Sequence, residues 1–299
     1  MTRLEYYSRH LVALIIFFIL GLITLILWTI ISDTPKAQTK KVVSVIQSEP
    51  PAIATSSTST APRTKPPLTS EVYPRLSYIM VTSSCDYNFN GDCVRIRSGP
   101  GLEAAVVTKL RNDVVLRADT DAAIEKDGLL WYKILFDETL RYSERIGGDW
   151  YIASEFTIPF TEKGPQWISS TTPPTSKRII VDRGEQSLRA YNGEEIYLDI
   201  KISTGLELTP TPRGEFTVYM KTPTRYMQGP LPGISKQYYD LPGVPWNLYF
   251  TKEGAVIHGA YWHQSFGKPY SHGCVNVNPR DAERLYNWAD LGTQVVVRD

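Results

Sequence analysis

The sequence predicts a mainly β protein, with two small folded domains that follow one N-terminal transmembrane helix. Short segments that alternate apolar and polar residues, separated by Gly, Pro and Asn turns, run through most of the chain from about residue 76 onward. One long apolar stretch lies near the N-terminus, and a stretch rich in Pro, Ser and Thr follows it. A length of 299 residues suffices for two modest domains with such extensions.

The apolar stretch, residues 11–31, is long enough to cross a bilayer as a helix. Arg3 and Arg9 precede it and Lys36 follows it, so the charge bias does not decide its orientation. A cleaved signal peptide would be shorter and would end in small residues, whereas this run leads into Trp28 and Ile31. We therefore favour a retained signal anchor, with residues 1–10 as a cytoplasmic tail.

The remaining domain boundaries follow from composition. Residues 32–75 are poor in aromatic side chains and rich in Pro, Ser and Thr, so they cannot bury enough surface to fold, and we predict a disordered linker there. A small domain is expected at 76–160, a second linker at 161–176 and a catalytic domain at 177–299. With 32 basic and 31 acidic side chains and no clustered basic stripe, the chain gives no electrostatic case for binding nucleic acid.

The small domain shows the pattern of a small barrel. Its predicted strands are 78–81, 94–97, 106–110, 114–116, 130–134 and 149–152. The run from Val94 to Leu102, with the later Trp131-Tyr132-Lys133-Ile134, resembles bacterial SH3 (SH3b) domains, which often accompany cell-wall enzymes. The resemblance implies either the binding of wall peptides or a passive role, as a spacer or as a lid over the catalytic cleft.

The cysteines indicate the compartment. Cys85 and Cys93 are close together in a polar loop, and a local disulfide between them would leave Cys274 as the free thiol, which favours an extracytoplasmic location. The loop between the pair, residues 86–92, has the alternating oxygen spacing of a calcium loop. Arg97 stands where such a loop needs a bidentate Glu, so we favour a disulfide-closed hairpin tip over a calcium site.

The segment Ser271-His272-Gly273-Cys274-Val275-Asn276, with His258-Gly259 upstream, brings a thiol, an imidazole and flexible backbone together. A cysteine nucleophile needs a nearby base and backbone N–H groups that hold the oxyanion. Gly273 has no Cβ to block a carbonyl from the amides of Gly273 and Cys274. These residue types indicate acyl transfer.

This pattern resembles the signature of the L,D-transpeptidases with a YkuD-type catalytic domain, which remodel bacterial peptidoglycan. The resemblance covers roughly residues 177–299 and includes Ile179-Ile180-Val181-Asp182, Gln186-Ser187-Leu188, Ser203-Thr204-Gly205 and the run from Thr209 to Phe216. The fold it implies is a β-rich L,D-transpeptidase catalytic domain behind a small SH3-like barrel. In the sequence, this region shows mainly strands and one helix, from about 281 to 289, that opens after Asn278-Pro279.

The resemblance, together with the residue chemistry, assigns the catalytic roles. Cys274 is the expected nucleophile and His258 its partner and proton shuttle, and the resemblance adds that the Gly259 carbonyl orients the His258 ring. His272 is so close to Cys274 in the chain that a structural or substrate contact is favoured over a role as base. The remaining cleft residues are expected to be Ser271, Asn276, Trp246 and Tyr239, although Trp246 and Tyr239 could equally be core residues.

Three alternatives have less support. His258, His263, His272 and Cys274 could form a zinc set, but the chain has no Cys-x-x-Cys or His-Glu-x-x-His pattern. An NlpC/P60-type cysteine peptidase normally has its Cys ahead of its His, the reverse of the order here. A catalytically silent wall-binding protein would not need the intact Cys, His and Gly set.

We therefore expect a cysteine-dependent acyltransferase, a peptidoglycan L,D-transpeptidase held at the bacterial cell membrane by its N-terminal helix, with the catalytic domain in the wall. By resemblance, its substrates are peptidoglycan stem peptides, it needs no metal or organic cofactor, and carbapenems acylate it. The alternative is an L,D-carboxypeptidase or another cysteine-dependent wall peptide hydrolase.

Overall fold

A computed structural model describes residues 73–136, 140–231, 233 and 236–299, all of which lie in one compact unit. The predicted membrane anchor at 11–31 and nearly all of the predicted linker at 32–75 lie outside these residues. In the part of the chain that is described, no helix is long and apolar enough to cross a membrane.

The first seven strands form one sheet. They are β1 (Arg75–Val81), β2 (Val94–Arg97), β3 (Val106–Leu110), β4 (Val115–Lys126), β5 (Leu129–Ile134), β6 (Tyr151–Ala153) and β7 (Thr157–Lys163), with two 3-10 turns at Ser143–Arg145 and Ser154–Phe156. Their order is β3-β2-β6-β5-β4-β1-β7. All six segments predicted for the small barrel overlap with these strands. The sequence pattern missed β7, which is largely exposed and contains Pro159.

A disulfide joins Cys85 and Cys93 in the β1–β2 connection, which is the pair that the sequence favoured. Within the loop that it closes, Asp86 Oδ1 accepts the backbone N–H groups of Asn88 and Asn90, at 2.8 and 3.0 Å. Asp86 Oδ2 accepts from the Asn90 side chain at 3.1 Å. The Asp86 carboxylate therefore serves the turn itself, in agreement with the interpretation as a hairpin tip.

Two five-stranded sheets and one helix make up the rest. The first sheet has the order β11-β10-β9-β17-β12 and the second the order β16-β15-β14-β13-β8. The strands are β8 (Gln166–Trp167), β9 (Lys177–Asp182), β10 (Ser187–Asn192), β11 (Glu195–Lys201), β12 (Gly214–Thr217), β13 (Met220–Gln228), β14 (Asp240–Tyr249), β15 (Val256–Gly259), β16 (Val275–Val277) and β17 (Gln294–Arg298). The short strand β8 pairs with β13, so the segment 161–176 is not the plain linker that the sequence predicted.

The helix α1 spans Pro279–Trp288, close to the predicted bounds. Pro279 takes the first helical position, where its missing N–H costs nothing, and the Asn278 side chain caps the helix by accepting the Arg280 N–H. The helix buries Leu285 and Tyr286 against the two five-stranded sheets, whose facing side chains form one apolar core with it.

The seven-stranded sheet is built into this unit. Tyr78 and Val115 belong to the core of the two five-stranded sheets, while Tyr226 and Val244 of β13 and β14 belong to the core under the seven-stranded sheet. Gly243 marks the closest approach, because a Cβ there would stand 2.5 Å from both Val115 O and a Val114 methyl group. The seven-stranded sheet therefore packs directly against the strands that carry the candidate site.

Candidate active site

Two adjacent buried strands bring the predicted catalytic residues together. The parallel strands β15 and β16 pair Ile257 with Val275 and His258 with Asn276. Cys274 immediately precedes β16 and lies two residues before Asn276. Because side chains alternate along a strand, Cys274 and Asn276 are expected on the same face as His258.

This face borders a cleft of about 1590 Å³. Of the predicted site residues, His258, Ser271, His272, Gly273, Cys274, Asn276 and Tyr239 line it. The structure thus brings most of the predicted set to one surface, although the catalytic roles themselves stay predictions.

Trp246 is the exception among the four residues that were expected to line the cleft. Its side chain is 5% exposed and packs in the core, with its ring 5.6 Å from that of Phe160 and 5.3 Å from that of Tyr286. The backbone at Trp246 has φ +61, in the left-handed region, although its neighbours Pro245 and Asn247 stay in one register with Thr224 and Thr222 of β13. Of the two alternatives that the sequence left open for Trp246, the structure shows the core residue.

His258 is fully buried, and its ring is held by its own strand. Its Nδ1 lies 3.1 Å from the Gly259 carbonyl oxygen, so Nδ1 carries the proton and donates to that carbonyl. The neutral ring then has its lone pair on Nε2, and this buried atom has no hydrogen-bond partner among the described residues. Burial lowers the pKa of His258 to about 4, so the ring is a neutral base at neutral pH.

Cys274 is the one free cysteine in the described part of the chain, and it is partly exposed to the cleft. Its Sγ lies 3.8 Å from the Gly254 carbonyl oxygen. Burial raises the pKa of the thiol, while the positive charge of Arg225 and the N–H of Val256 act in the opposite direction. At neutral pH the pair therefore rests as a thiol and a neutral imidazole rather than as a thiolate with an imidazolium.

Hydroxyl groups organise the turn that carries the thiol. Ser271 Oγ donates to the Cys274 carbonyl, and Thr211 Oγ1 donates to the same oxygen at 3.2 Å. The Gly273 N–H, which the sequence assigned to the oxyanion, donates to Ser271 Oγ at 3.1 Å. A substrate oxygen at Gly273 must therefore share or displace this bond.

Gly273 is required for a different reason from the predicted one. A Cβ at this position would meet nothing closer than 3.8 Å, so space does not demand glycine. The backbone has φ +115, which L side chains rarely adopt. Glycine is needed at 273 because of the turn conformation before Cys274.

Asn276 is held by His263, a residue that the sequence considered only as a zinc ligand. The Asn276 amide lies 2.9 Å from His263 Nε2, and His263 Nδ1 accepts the Ser265 N–H at 3.0 Å. Burial lowers the pKa of His263 to about 4, so the ring is neutral and its proton must lie on Nε2. The Asn276 Nδ2 atom faces His263 Nε2 in the structure, and because Nε2 carries the proton, a hydrogen bond there requires the amide to be turned so that its oxygen accepts.

His272 and Tyr239 lie together at the cleft. Their ring centroids are 6.4 Å apart and the rings are nearly parallel, with 22° between their planes. His272 is partly exposed, as a substrate contact requires. This placement is compatible with the predicted preference for substrate contact over the role of base.

The four residues of the alternative zinc set do not converge. Within residues 73–136, 140–231, 233 and 236–299, no group of three His, Cys, Asp or Glu side chains is placed to hold a metal ion. His258 is engaged with the Gly259 carbonyl and His263 with Asn276. His258 Nδ1 and His263 Nε2 are thus already engaged in hydrogen bonds within the protein.

The comparisons with known proteins agree with this geometry. Residues 176–297 match the model of the YkuD family, the L,D-transpeptidase catalytic domain. This match confirms, for the catalytic segment, the resemblance seen in the sequence.

Two relatives named as L,D-transpeptidases show the extent of the likeness. A Bacillus licheniformis protein, named as the L,D-transpeptidase YkuD, is 30% identical over 123 residues, which are 40% of this chain and 64% of that protein. A Mycobacterium tuberculosis protein, named as L,D-transpeptidase 3, is 33% identical over 102 residues, 32% of this chain and 37% of that protein. The chain therefore spans less than two thirds of the length of these relatives.

Among solved structures, an L,D-transpeptidase from Enterococcus faecium is 26% identical, with 47% of this chain and 56% of that chain covered and a TM-score of 0.38.

One cleft residue escaped the sequence analysis. Arg225 lies on β13 and lines the cleft with Cys274 and His258. An arginine in an alternating strand has the pattern of a solvent-facing residue, so no sequence signal distinguished it.

Proposed function

We propose that this protein is a peptidoglycan L,D-transpeptidase that acts through a thioester on Cys274. The observation that supports this proposal most strongly is the state of His258. Its Nδ1–H is bound to the Gly259 carbonyl, its buried Nε2 has no hydrogen-bond partner among the described residues, and His258 lines the same cleft as Cys274. A neutral imidazole with an unpaired Nε2 can act as the general base for a cysteine nucleophile, and no carboxylate is needed to orient the ring.

The chemistry follows from the neutral resting pair. As Cys274 Sγ attacks the carbonyl carbon before the terminal D-alanine of a tetrapeptide stem, His258 Nε2 takes the thiol proton. The C–N bond then breaks, the imidazolium returns the proton to the leaving amine, and D-alanine departs from the thioester. An amine of a second stem attacks the thioester, loses its proton to Nε2, and releases the thiol with formation of the new amide bond.

The fate of the thioester separates the proposed enzyme from an L,D-carboxypeptidase. Tyr239, Tyr270 and Trp262 line the same cleft as the thiol, and we expect their rings to reduce the access of water to the thioester. A bound acceptor amine gains an effective concentration far above that in solution, so transfer should exceed hydrolysis.

The test is incubation of the purified full-length protein with tetrapeptide muropeptides, followed by mass spectrometry of the products. We expect cross-linked dimers as the main product, unaffected by a chelator and absent with Cys274→Ala. A carbapenem should add one covalent adduct to the wild type and none to Cys274→Ala. Tripeptide as the sole product at high acceptor concentration would identify a carboxypeptidase.

The roles of the two histidines are separated by rapid-quench acylation. His258→Ala should slow acylation by about a hundredfold or more, the usual scale for a positioned acid-base group. His272→Ala should alter mainly substrate affinity. If His272→Ala loses the chemical step while His258→Ala retains it, the assignment is reversed.

We also propose that residues 11–31 anchor the protein and that the catalytic domain works outside the membrane. The apolar run and the Cys85–Cys93 disulfide support this location, because disulfides persist in oxidising compartments. Protease added to intact spheroplasts should digest the described domain. Protection of that domain until the membrane is lysed would contradict the proposal.

A further inference from the structure

Arg225 carries a buried hydrogen-bond donor that no described residue uses. Its Nη1 is buried and has no hydrogen-bond partner among the described residues. The guanidinium lies over the ring of Tyr249, whose centroid is 5.5 Å from Cζ. An unpaired buried donor is costly, and one that borders a binding cleft indicates a missing acceptor.

The position of Arg225 relates this donor to the proposed reaction centre. Arg225, Cys274 and His258 line the same cleft. The positive charge of Arg225 also acts on the catalytic pair. Burial raises the pKa of the Cys274 thiol, and the charge of Arg225 opposes this rise. Burial lowers the pKa of His258, and the charge of Arg225 lowers it further. The guanidinium therefore lies within electrostatic range of the thiol.

The chemistry of guanidinium defines the missing acceptor. Arginine presents a rigid planar fork of N–H donors that matches a carboxylate, and charge-assisted hydrogen bonds of this kind are roughly twice as strong as neutral ones. In the proposed donor, the terminal residue bears its α-carboxylate three bonds beyond the carbon that the thiol attacks. A cation that lines the same cleft as the thiol can meet that group.

We propose that Arg225 binds the C-terminal carboxylate of the donor stem peptide and so selects donors that end in a free acid next to the scissile bond. This inference rests on the function proposed above. It makes Arg225 a specificity residue: it holds the leaving residue while His258 transfers the proton.

The test compares two donors that differ only in the terminal group, a tetrapeptide with a free carboxylate and its C-terminal primary amide. The measurement is the initial rate of release of the terminal residue, as kcat/KM, by the full-length protein. The wild type should prefer the free acid by about ten- to a hundredfold, the scale of a charge-assisted hydrogen bond. Arg225→Gln should abolish this preference, and Arg225→Lys should retain part of it.

Two controls isolate the carboxylate contact. Arg95→Gln removes the same charge from an exposed position on β2 and should leave the preference intact. Arg225→Gln also changes the reactivity of the thiol, and this change slows the reaction of both donors equally. Alkylation by iodoacetamide, which is neutral, measures it separately. Thermal unfolding of Arg225→Gln should change little, since the lost Nη1 leaves no hydrogen-bonding group of the described residues unpaired.

A second pair of donors tests whether Arg225 instead binds a carboxylate on the side chain of the third residue. These donors carry a third residue with or without a side-chain carboxylate, and Arg225→Gln should affect both equally. If the loss instead follows that side chain, or if Arg225→Gln retains the preference for the free acid, the assignment is overturned. Wild-type turnover of both donors without any preference refutes the carboxylate contact alone, whereas turnover of neither refutes the proposed function and this inference with it.

Discussion

Acidification from pH 7 to pH 5 is expected to destabilise the folded protein through His258. Burial lowers the folded-state pKa of this imidazole from the ordinary 6.5 to about 4, and the unfolded chain retains the ordinary value. As the pH falls below the unfolded pKa, the unfolded chain takes up a proton that the folded protein accepts only near its own lower pKa. The free energy of unfolding therefore decreases as the pH is lowered from about 6.5 to about 4, and it levels off at lower pH.

The magnitude follows from the two pKa values. For one group with these values, the change from pH 7 to pH 5 removes about 2 kcal/mol from the free energy of unfolding. His263, whose pKa burial also lowers to about 4, contributes with the same sign, so the wild type should lose more than this amount. The difference between the wild type and His258→Gln isolates the contribution of His258.

Urea unfolding, followed by tryptophan fluorescence at several pH values, measures the free energy of unfolding. A slope m that stays constant with pH checks that the unfolding reaction is unchanged. The curve of stability against pH for His258→Gln should be flatter than that of the wild type by about 2 kcal/mol over this range. Parallel curves would show that the imidazole is not buried in its neutral form. The mechanism with a neutral resting pair would then be wrong.

Three further predictions concern the frame of the site. Gly259→Ala should lower the rate of acylation as well as the melting temperature. A Cβ at this position would stand 2.8 Å from Pro245 Cγ and would displace the carbonyl that holds His258. An unchanged acylation rate would contradict the orienting role of that carbonyl. Gln228→Ala should raise the ratio of tripeptide to cross-link in the muropeptide assay, because it releases the two backbone groups of Tyr142 that the Gln228 side chain binds. Each of these groups that stays buried without a partner lowers the free energy of unfolding by about 1–3 kcal/mol. Replacing Cys85 and Cys93 by Ser should lower the stability to urea by about 2–3 kcal/mol without changing acylation by a carbapenem, and an equal loss of acylation would link the hairpin tip to the chemistry.

Residues 227–245 are rich in Tyr and Pro, a composition compatible with a lid over the cleft. In the structure, Asp240–Tyr249 is the strand β14, and only the part before it is a connection. Pro242, Gly243 and Pro245 indicated a turn, because proline cannot donate in a central strand. They are tolerated since β14 pairs with β15 only at Leu248 and Tyr249, so no described part of β15 hydrogen-bonds as a paired strand to the first part of β14.

The site was predicted to the extent that its residues are contiguous in sequence. The segment from Ser271 to Asn276 could be recognised because its chemistry lies on one short turn. The partnership of Asn276 with His263, and the unpaired guanidinium of Arg225, depend on how distant segments close around the cleft. The lowered pKa of His258 likewise depends on complete burial, which no local pattern specifies.

The contacts of the seven-stranded sheet bear on the choice between a wall-binding module and a lid. Its Tyr142 exchanges two hydrogen bonds with the buried Gln228 side chain, at 2.8 and 3.0 Å, and its hydroxyl donates to the Pro230 carbonyl. Arg145 donates to the Gly229 carbonyl at 2.6 Å and lies over the rings of Tyr142 and Tyr238. These contacts fix both ends of the connection between β13 and β14.

Because the same connection carries Tyr239 to the cleft beside His272, the seven-stranded sheet determines where this wall of the site stands. A module that only tethered the enzyme to the wall would not need to hold the connection from both sides. The contacts therefore favour the role of a lid support, in which residues between β5 and β6 hold the Tyr239 side of the cleft in place. On this view the balance between transfer and hydrolysis depends on side chains such as Tyr142, which lies in the domain without the nucleophile.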